Sequence, residues 1–297
     1  MGEYKLGIDI GGTFIKYGII DKDFNIIDKW KVKSIRFESK DDFYDYLCEN
    51  MGELNKVDYI GISAPGLIDK HSNVKSYAAP NVCVMYGTNI NKEVSSRTGK
   101  KVFSINDAKS AGLCELKLGN AKGSVSSAFL ILGTGTGGCV CNEKGVVYGK
   151  DAFAGEFHHL PFMNLKTNKI DRLGEYSSIT ALLRLYNSKV DRNNKVELGI
   201  EVCNKYNDGD NIAEKVMQEW IDNIVISLIT IVTFYNPEII CIGGGISEEG
   251  WFINLVNEKF KLACEEYLGA DIITTEIKGC KYNNDANILG SIININN

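Results

Sequence analysis

Short apolar runs that stop at glycine recur along the chain. Residues 5–10 form one such run, halted by Gly11 and Gly12, and residues 17–20 resume it before the polar turn 21–23, which is a hairpin pattern. A third strand is expected over 24–32, and then Phe43, Tyr46, Leu47 and Met51 recur at helical spacing around the acidic stretch 41–50. Buried-type strands follow at 59–63, broken by Pro65 and Gly66, and at 102–105, which delivers Asn106 and Asp107 at its carboxyl end before a helix over 108–118. A second cycle begins at Ser127 with a strand over 128–132, a glycine loop over 133–138, a strand to Cys141 and a turn at 142–145. This repeated order of strand, glycine turn and strand suggests two related lobes.

Residues 213–234 read as one long helix with an apolar stripe that Pro237 stops. A buried strand over 238–242 feeds Gly243, Gly244 and Gly245, residues 247–267 are expected to be mostly helical, and 284–295 form a last helix. No low-complexity linker separates the halves, so a hinge rather than a tether is expected near 119–126.

Composition narrows the class. A chain of 297 residues with 44% hydrophobic content sits near the size at which one core splits in two. A net charge of -5 supplies no basic surface for a polyanion, so no nucleic-acid partner is expected. The nine cysteines are scattered apart from Cys139 and Cys141, with no CxxC pair, as in the reduced thiols of a cytosol. The strand pattern begins by residue 5, which leaves no room for a signal peptide, and no apolar run reaches the roughly 18 residues of a membrane span. A cytoplasmic protein without membrane contact is expected.

Three glycine-rich turns follow apolar strands: Gly11 and Gly12 after Asp9, with Thr13 next; Gly133, Thr134, Gly135, Thr136, Gly137 and Gly138; and Gly243, Gly244 and Gly245. Glycine lets backbone amides approach phosphate oxygens, hydroxyls add donors, and a strand-end carboxylate such as Asp9 suits hydrated magnesium. A single such turn is more often an ordinary hairpin; three together favour a nucleoside triphosphate. Neither a Gly-Lys-Ser/Thr loop nor a GxGxxG turn opening a helix is present. Asp107 beside Asn106 places a carboxylate and an amide where a hydroxyl can be held and deprotonated, although the same pair also reads as the cap of a helix starting at Ala108.

In this order the motifs resemble the ROK family (repressor, open reading frame, kinase) of bacterial sugar kinases. They are Asp9-Ile10-Gly11-Gly12-Thr13 with Lys16, Gly61-Ile62-Ser63-Ala64-Pro65-Gly66-Leu67-Ile68-Asp69, Asn106-Asp107-Ala108, the 133–138 loop, Ala154-Gly155-Glu156-Phe157-His158-His159, and Gly243-Gly244-Gly245. The resemblance implies an α/β, actin-like (ribonuclease H-like) two-lobe ATPase fold with a central cleft. The N-terminal lobe would span 1–118, with 284–297 returning to it, and the C-terminal lobe 119–283. It further implies ATP and Mg2+ as cofactors. Asp9, Gly11, Gly12, Thr13 and Lys16 would lie on one side of the phosphates and Gly133, Thr134, Gly135, Thr136 and Gly137 on the other, with Gly243, Gly244 and Gly245 near the adenosine. A small-molecule sugar would be held by Pro65, Gly66, Asn106, Asp107, Glu156 and His159. Asp107 would take the proton of the 6-hydroxyl of glucose or of a modified hexose such as N-acetylmannosamine or a β-glucoside. Asp9 would reach magnesium through water, and a homodimer is implied.

Two departures matter. Zinc-bearing relatives carry a Cys-x-Cys-Gly-x-x-Gly-Cys cluster where residues 164–175 have no cysteine, so no zinc site is expected and His159 is left for the sugar. His158 stands where the family usually has glycine, either packed or touching substrate. Aligning on Tyr176 puts Gly174 where the family has a further sugar-binding glutamate, and Glu175 replaces it only if the loop shifts by one residue. Recognition around sugar carbons 1 and 2 is therefore altered. A repressor of the family would need a helix-turn-helix ahead of the strand that starts by Lys5. A non-catalytic sugar-responsive sensor is the other alternative, distinguished by the absence of turnover.

Overall fold

Apolar strands and the glycines between them set the architecture of the computed structural model, which describes residues 3–269 and 272–294. The chain divides into two compact units: Met1–Lys122 with Lys144–Ala154 and Asn284–Asn297, and Gly123–Glu143 with Gly155–Asn283. Two differences from the expected boundaries have local causes. The turn after residue 118 stays bonded to the preceding helix, with Gly119 N–H donating to Glu115 O and Lys122 N–H to Gly119 O, and it buries Ala121. Residues 144–154, expected in the second lobe, group with the first unit.

In chain order, β1 (Tyr4–Ile10), β2 (Phe14–Ile20) and β3 (Ile26–Lys33) form an antiparallel meander. After α1 (Lys40–Glu49), β4 (Val57–Ala64) pairs parallel to β1. Then α2 (Ile90–Thr98) leads to β5 (Lys101–Asn106), parallel to β4, and α3 (Asp107–Leu118) follows without a loop. The second unit opens with β6 (Ser126–Leu132) and β7 (Thr136–Asn142); the two-residue β8 (Gly145–Val146) lies in the first unit, where it packs on α3. The chain continues through the hairpin β9 (Pro161–Asn164) and β10 (Lys169–Arg172), then α4 (Gly174–Ser177), α5 (Ile179–Asn187), α6 (Gly199–Asn207) and α7 (Asn211–Tyr235). It ends with β11 (Ile239–Gly243), α8 (Gly250–Leu268) and β12 (Glu276–Gly279), before α9 (Ala286–Ile293) rejoins the first unit. The last residues of the expected tail, 295–297, lie outside the described residues.

The first sheet runs β3-β2-β1-β4-β5. Polar β3 is an edge, whereas the central strands bury Leu6, Ile8, Ile10, Ile60 and Ile62, because parallel strands need apolar cover on both faces. Helix α9 supplies part of that cover by lying on β1 and β4 and against α3. The approach is close. A methyl carbon at Gly61 would fall 2.6 Å from the Ser291 carbonyl carbon, and one at Gly290 would fall 2.5 Å from that of Ser110.

In the second unit, β12, β11 and β6 are parallel and β7 is antiparallel to β6. Its core helix is α7, whose buried Ala213, Val216, Met217, Trp220, Ile221, Ile224, Leu228 and Ile231 recur at helical spacing. By length and composition α7 is able to cross a membrane, contrary to the expectation that no apolar stretch is. However, 61% of its most apolar window is buried inside the protein, and Trp220 Nε1 donates to Ser178 O at 3.0 Å, which is how a core helix behaves. Asp210 caps its start, and Asn236, at φ 46°, ends it before Pro237.

Candidate active site

Three parallel strands of the first unit end side by side. Register places Asp9 beside Ser63, and Ala64 beside Asn106, so the candidate residues of three separate sequence motifs share one carboxyl edge. In open α/β sheets that edge is where ligands bind. Asp9 is only 5% exposed, and a buried carboxylate needs partners. Its Oδ1 accepts from Asn287 Nδ2 at 2.9 Å and from Ser63 Oγ at 3.3 Å, and its Oδ2 lies 3.3 Å from Lys16 Nζ, which the β1–β2 register puts directly opposite. Ser63 lay inside a quoted motif, but nothing in the sequence marks Asn287, 278 positions from Asp9.

The turn after Asp9 is tight: Gly11 N–H donates to Phe14 O at 3.0 Å, and a side chain at Gly11 would meet that oxygen at 2.8 Å. Gly12 and Thr13 are exposed, and the Gly12 carbonyl is anchored by Asn81 Nδ2 at 3.0 Å.

Asn106, not Asp107, caps α3. Its Oδ1 accepts from Lys109 N–H at 3.1 Å, and its Nδ2 donates to Gly66 O at 2.9 Å and to Asp107 Oδ1 at 2.8 Å. Asp107 is the first residue of the helix, half-buried, and its Oδ1 also accepts from Ala108 N–H at 2.7 Å. The positive end of the helix dipole favours the carboxylate there. Gly66 adopts φ +90° with Ser76 O and Oγ 3.3 Å from any added Cβ, so only glycine suits the turn. Gly66, Asn106 and Asp107 thus form one hydrogen-bonded cluster, with Pro65 preceding Gly66 in the turn.

In the second unit β6 and β11 end together, with Gly243 paired to Ile131, which brings two glycine loops to one edge. Their glycines differ in kind. Gly243 is packed, with an added Cβ 2.6 Å from Ile131 Cδ1; Gly244 has φ +99° and lies against the backbone of Leu132. At Gly135 and Gly245 a Cβ would meet nothing within 4 Å, and neither has a positive φ. Neither packing nor conformation requires glycine at these two positions. Its effect there is to leave backbone N–H groups uncovered, as an anion-binding surface requires. Gly133 N–H bonds Gly135 O, and Gly133 O accepts from Ile179 N–H at the start of α5. Thr134 is exposed, but Thr136 is buried and shares a hydrogen bond of 3.1 Å with Ser177 Oγ, and Gly137 lies within β7 opposite Ile131. Thr136 is therefore a packing residue, unlike Thr134.

Glu156 precedes a short turn, Phe157–His159, whose Phe157 is buried against β7 where Gly138 lacks a side chain. Gly155, at φ +78°, presses onto Cys139. Glu156 is half-buried and His159 exposed; the half-buried His158 stands edge-on to His159, with centroids 5.2 Å apart. Burial, helped by the neighbouring His159 and Arg172, holds the His158 pKa below its ordinary value. Glu175 is exposed, and its carbonyl accepts from Arg184 Nη2. Among the described residues no group of three or more His, Cys, Asp or Glu is placed to hold a metal. Residues around 164–175 instead close a hairpin in which Asn164 Nδ2 donates to Asp171 Oδ2 at 2.8 Å and to Tyr176 OH at 3.0 Å.

Comparison with known proteins places these features in context. The ROK family model matches residues 5–296. A glucokinase from Thermotoga maritima is 26% identical over 305 residues, covering 96% of this chain and 95% of that protein. Among solved structures, a ROK family protein from Streptococcus pneumoniae TIGR4 in complex with sucrose superposes with a TM-score of 0.86 at 24% identity, covering 98% of this chain and 97% of that one. A ROK family glucokinase from Streptomyces griseus in complex with glucose and AMPPNP gives 0.79 at 22% identity, with 97% of each chain covered.

Proposed function

Because the chain belongs to the ROK family and has its actin-like ATPase fold, we propose that it is an ATP-dependent sugar kinase acting on the 6-hydroxyl of a hexose. The observation that carries this reading is the cluster in which Asn106 ties the carboxylate of Asp107 to the Gly66 turn at the carboxyl edge of the first sheet. ATP supplies the phosphoryl group, and a magnesium ion, when bound, would neutralise its charge.

The chain's own residues do the rest. Asp107 accepts the proton of the attacking hydroxyl, while Asn106 and the Pro65–Gly66 turn orient the sugar; Glu156 and His159 are assigned to the sugar by the family resemblance alone. In the first unit Gly12 and Thr13, and in the second Thr134, Gly135 and Gly245, each offer exposed backbone or hydroxyl groups of the kind that suits a polyphosphate. Both oxygens of Asp9 already have protein partners, which suits a carboxylate reaching magnesium through water. Gly243 and Gly244 are assigned to shaping the loop, and Gly245 to the nucleotide. The cytoplasm is the proposed location, in keeping with cysteines that are scattered along the sequence without a CxxC pair.

Coupled ADP release over glucose, mannose, fructose, N-acetylglucosamine, N-acetylmannosamine and cellobiose tests the reading. Turnover of at least one is expected. Sugar binding with turnover of none would make the protein a sensor.

Gly135→Ala isolates the phosphate loop. Because the added methyl meets open space, melting temperature should stay within about 2 °C, corresponding to less than ~0.5 kcal/mol. The KM for ATP should nevertheless rise several-fold, as a methyl group shields amides that would hold phosphate. An unchanged KM would remove Gly135 from the nucleotide site.

A further inference from the structure

Gly174 is buried at the start of α4, yet it has no positive φ to account for the absence of a side chain. The account lies in a neighbour. An ideal Cβ at position 174 would fall 2.7 Å from His158 Cγ and 2.8 Å from His158 Cα, and nearer still to Nδ1. The imidazole of His158 therefore fills the space that a side chain at 174 would occupy, and the two positions exclude each other sterically.

Two of the groups around the ring, Glu156 and His159, are already assigned to the sugar. Glu156, Glu175 and His159 lie within electrostatic reach of it, together with Arg172. Glu175, the carboxylate next in sequence, is exposed and its carbonyl is bonded to Arg184, so it does not take the buried place. The ring itself is half-buried, a position from which a polar side chain can meet a ligand without being sealed in the core.

We propose that His158 is a sugar-contacting, specificity-determining residue whose imidazole takes the place denied to any side chain at position 174. This rests on the kinase reading above. A carboxylate there would only accept hydrogen bonds and would repel an oxygen that carries no proton. A neutral imidazole offers one N–H as well as one acceptor nitrogen. The site is thereby suited to a hexose bearing an aprotic oxygen, either the acetal oxygen of a glycoside or the carbonyl of an acetamido group, beside the ring atoms that face His158. A polar site built for such a contact penalises sugars that leave its donor unpaired.

The test compares wild type, His158→Ala, His158→Gln and His158→Glu with glucose, methyl β-glucoside and N-acetylmannosamine, reading kcat and KM separately. Losing one uncharged hydrogen bond should raise KM for the preferred sugar about 3- to 10-fold in His158→Ala, with kcat within about twofold. His158→Gln, which keeps a donor and an acceptor, should restore much of the loss. His158→Glu should lose most on whichever aprotic-oxygen sugar is preferred and least on glucose. The glycoside and acetamido arms show which oxygen is read.

A KM unchanged in His158→Ala for every sugar, or a loss in His158→Glu that is the same for all three, overturns the proposal while leaving the kinase reading intact. If wild type turns over neither these three sugars nor any of the six in the ADP-release panel, the kinase reading falls, and calorimetric binding of the same three sugars decides the matter for His158. Equal affinity in wild type and His158→Ala, or no binding at all, overturns the assignment. His158→Gln is nearly isosteric and keeps the comparison available if the alanine variant does not fold.

Discussion

Asp107→Asn is expected to lower kcat by roughly 10²- to 10⁴-fold, the usual worth of a positioned general base, with the KM for ATP nearly unchanged. The substitution is nearly isosteric, and Asn106 Nδ2 and Ala108 N–H can still donate to the oxygen at position 107. Only the capacity to take a proton is lost, together with a charge at the helix N-terminus worth about 0.3–1 kcal/mol. The residues proposed for phosphate lie in other loops, so ATP binding should survive. Steady-state kinetics alongside thermal unfolding separates the two effects. A variant that keeps wild-type turnover would show that Asp107 is the helix residue its sequence also allows, and nothing more.

Gly290→Ala should be the most damaging of the small substitutions for stability. The added methyl would meet the carbonyl group of Ser110, with the carbonyl carbon 2.5 Å and Oγ 2.7 Å away, and backbone cannot move aside as a flexible side-chain tip can. Relief requires α9 to shift off α3, at a cost of about 1–3 kcal/mol or a fall of roughly 2–12 °C in melting temperature. The same helix carries Asn287, whose amide holds Asp9 Oδ1 at 2.9 Å, so the KM for ATP should rise as well. Gly250→Ala, where a Cβ meets nothing within 4 Å and φ is not positive, is the control and should leave both quantities unchanged. Equal melting temperatures for the two variants would mean that the close approach of α9 to α3 is not a determinant of stability.

The strongest elements were legible because their signals are local. The β1–β2 hairpin, the strands β4 and β5 and the long helix α7 announce themselves through apolar runs, helical spacing or a terminating glycine or proline. Short elements were not: α2, α6 and the β9–β10 hairpin lie in segments where polar residues interrupt the period, whereas α5 does carry helical spacing, with Ala181, Leu182 and Tyr186 buried, but over only nine residues. At the site, motif order marked the positions of Asp9, Asn106, Asp107 and the glycine loops, but it treated the glycines of a loop alike. Space and φ divide them into Gly243 and Gly244, which packing or conformation requires, and Gly135 and Gly245, which neither does. The buried Thr136 and exposed Thr134, one residue apart from Gly135 on either side, divide in the same way.

What the chain's order of residues determined alone was the alternation of strand and glycine turn, the carboxylate at the head of α3 and membership of a family, since these depend on neighbours a few residues apart or on motifs in series. Which turn Asn106 is tied to, who holds Asp9, and why Gly174 has no side chain were decided only by folding. Each depends on an atom brought from elsewhere: the Gly66 carbonyl, the amide of Asn287 and the ring of His158. Hydrogen bonding and excluded volume act over about 3 Å through space, and separation along the chain does not reveal that distance.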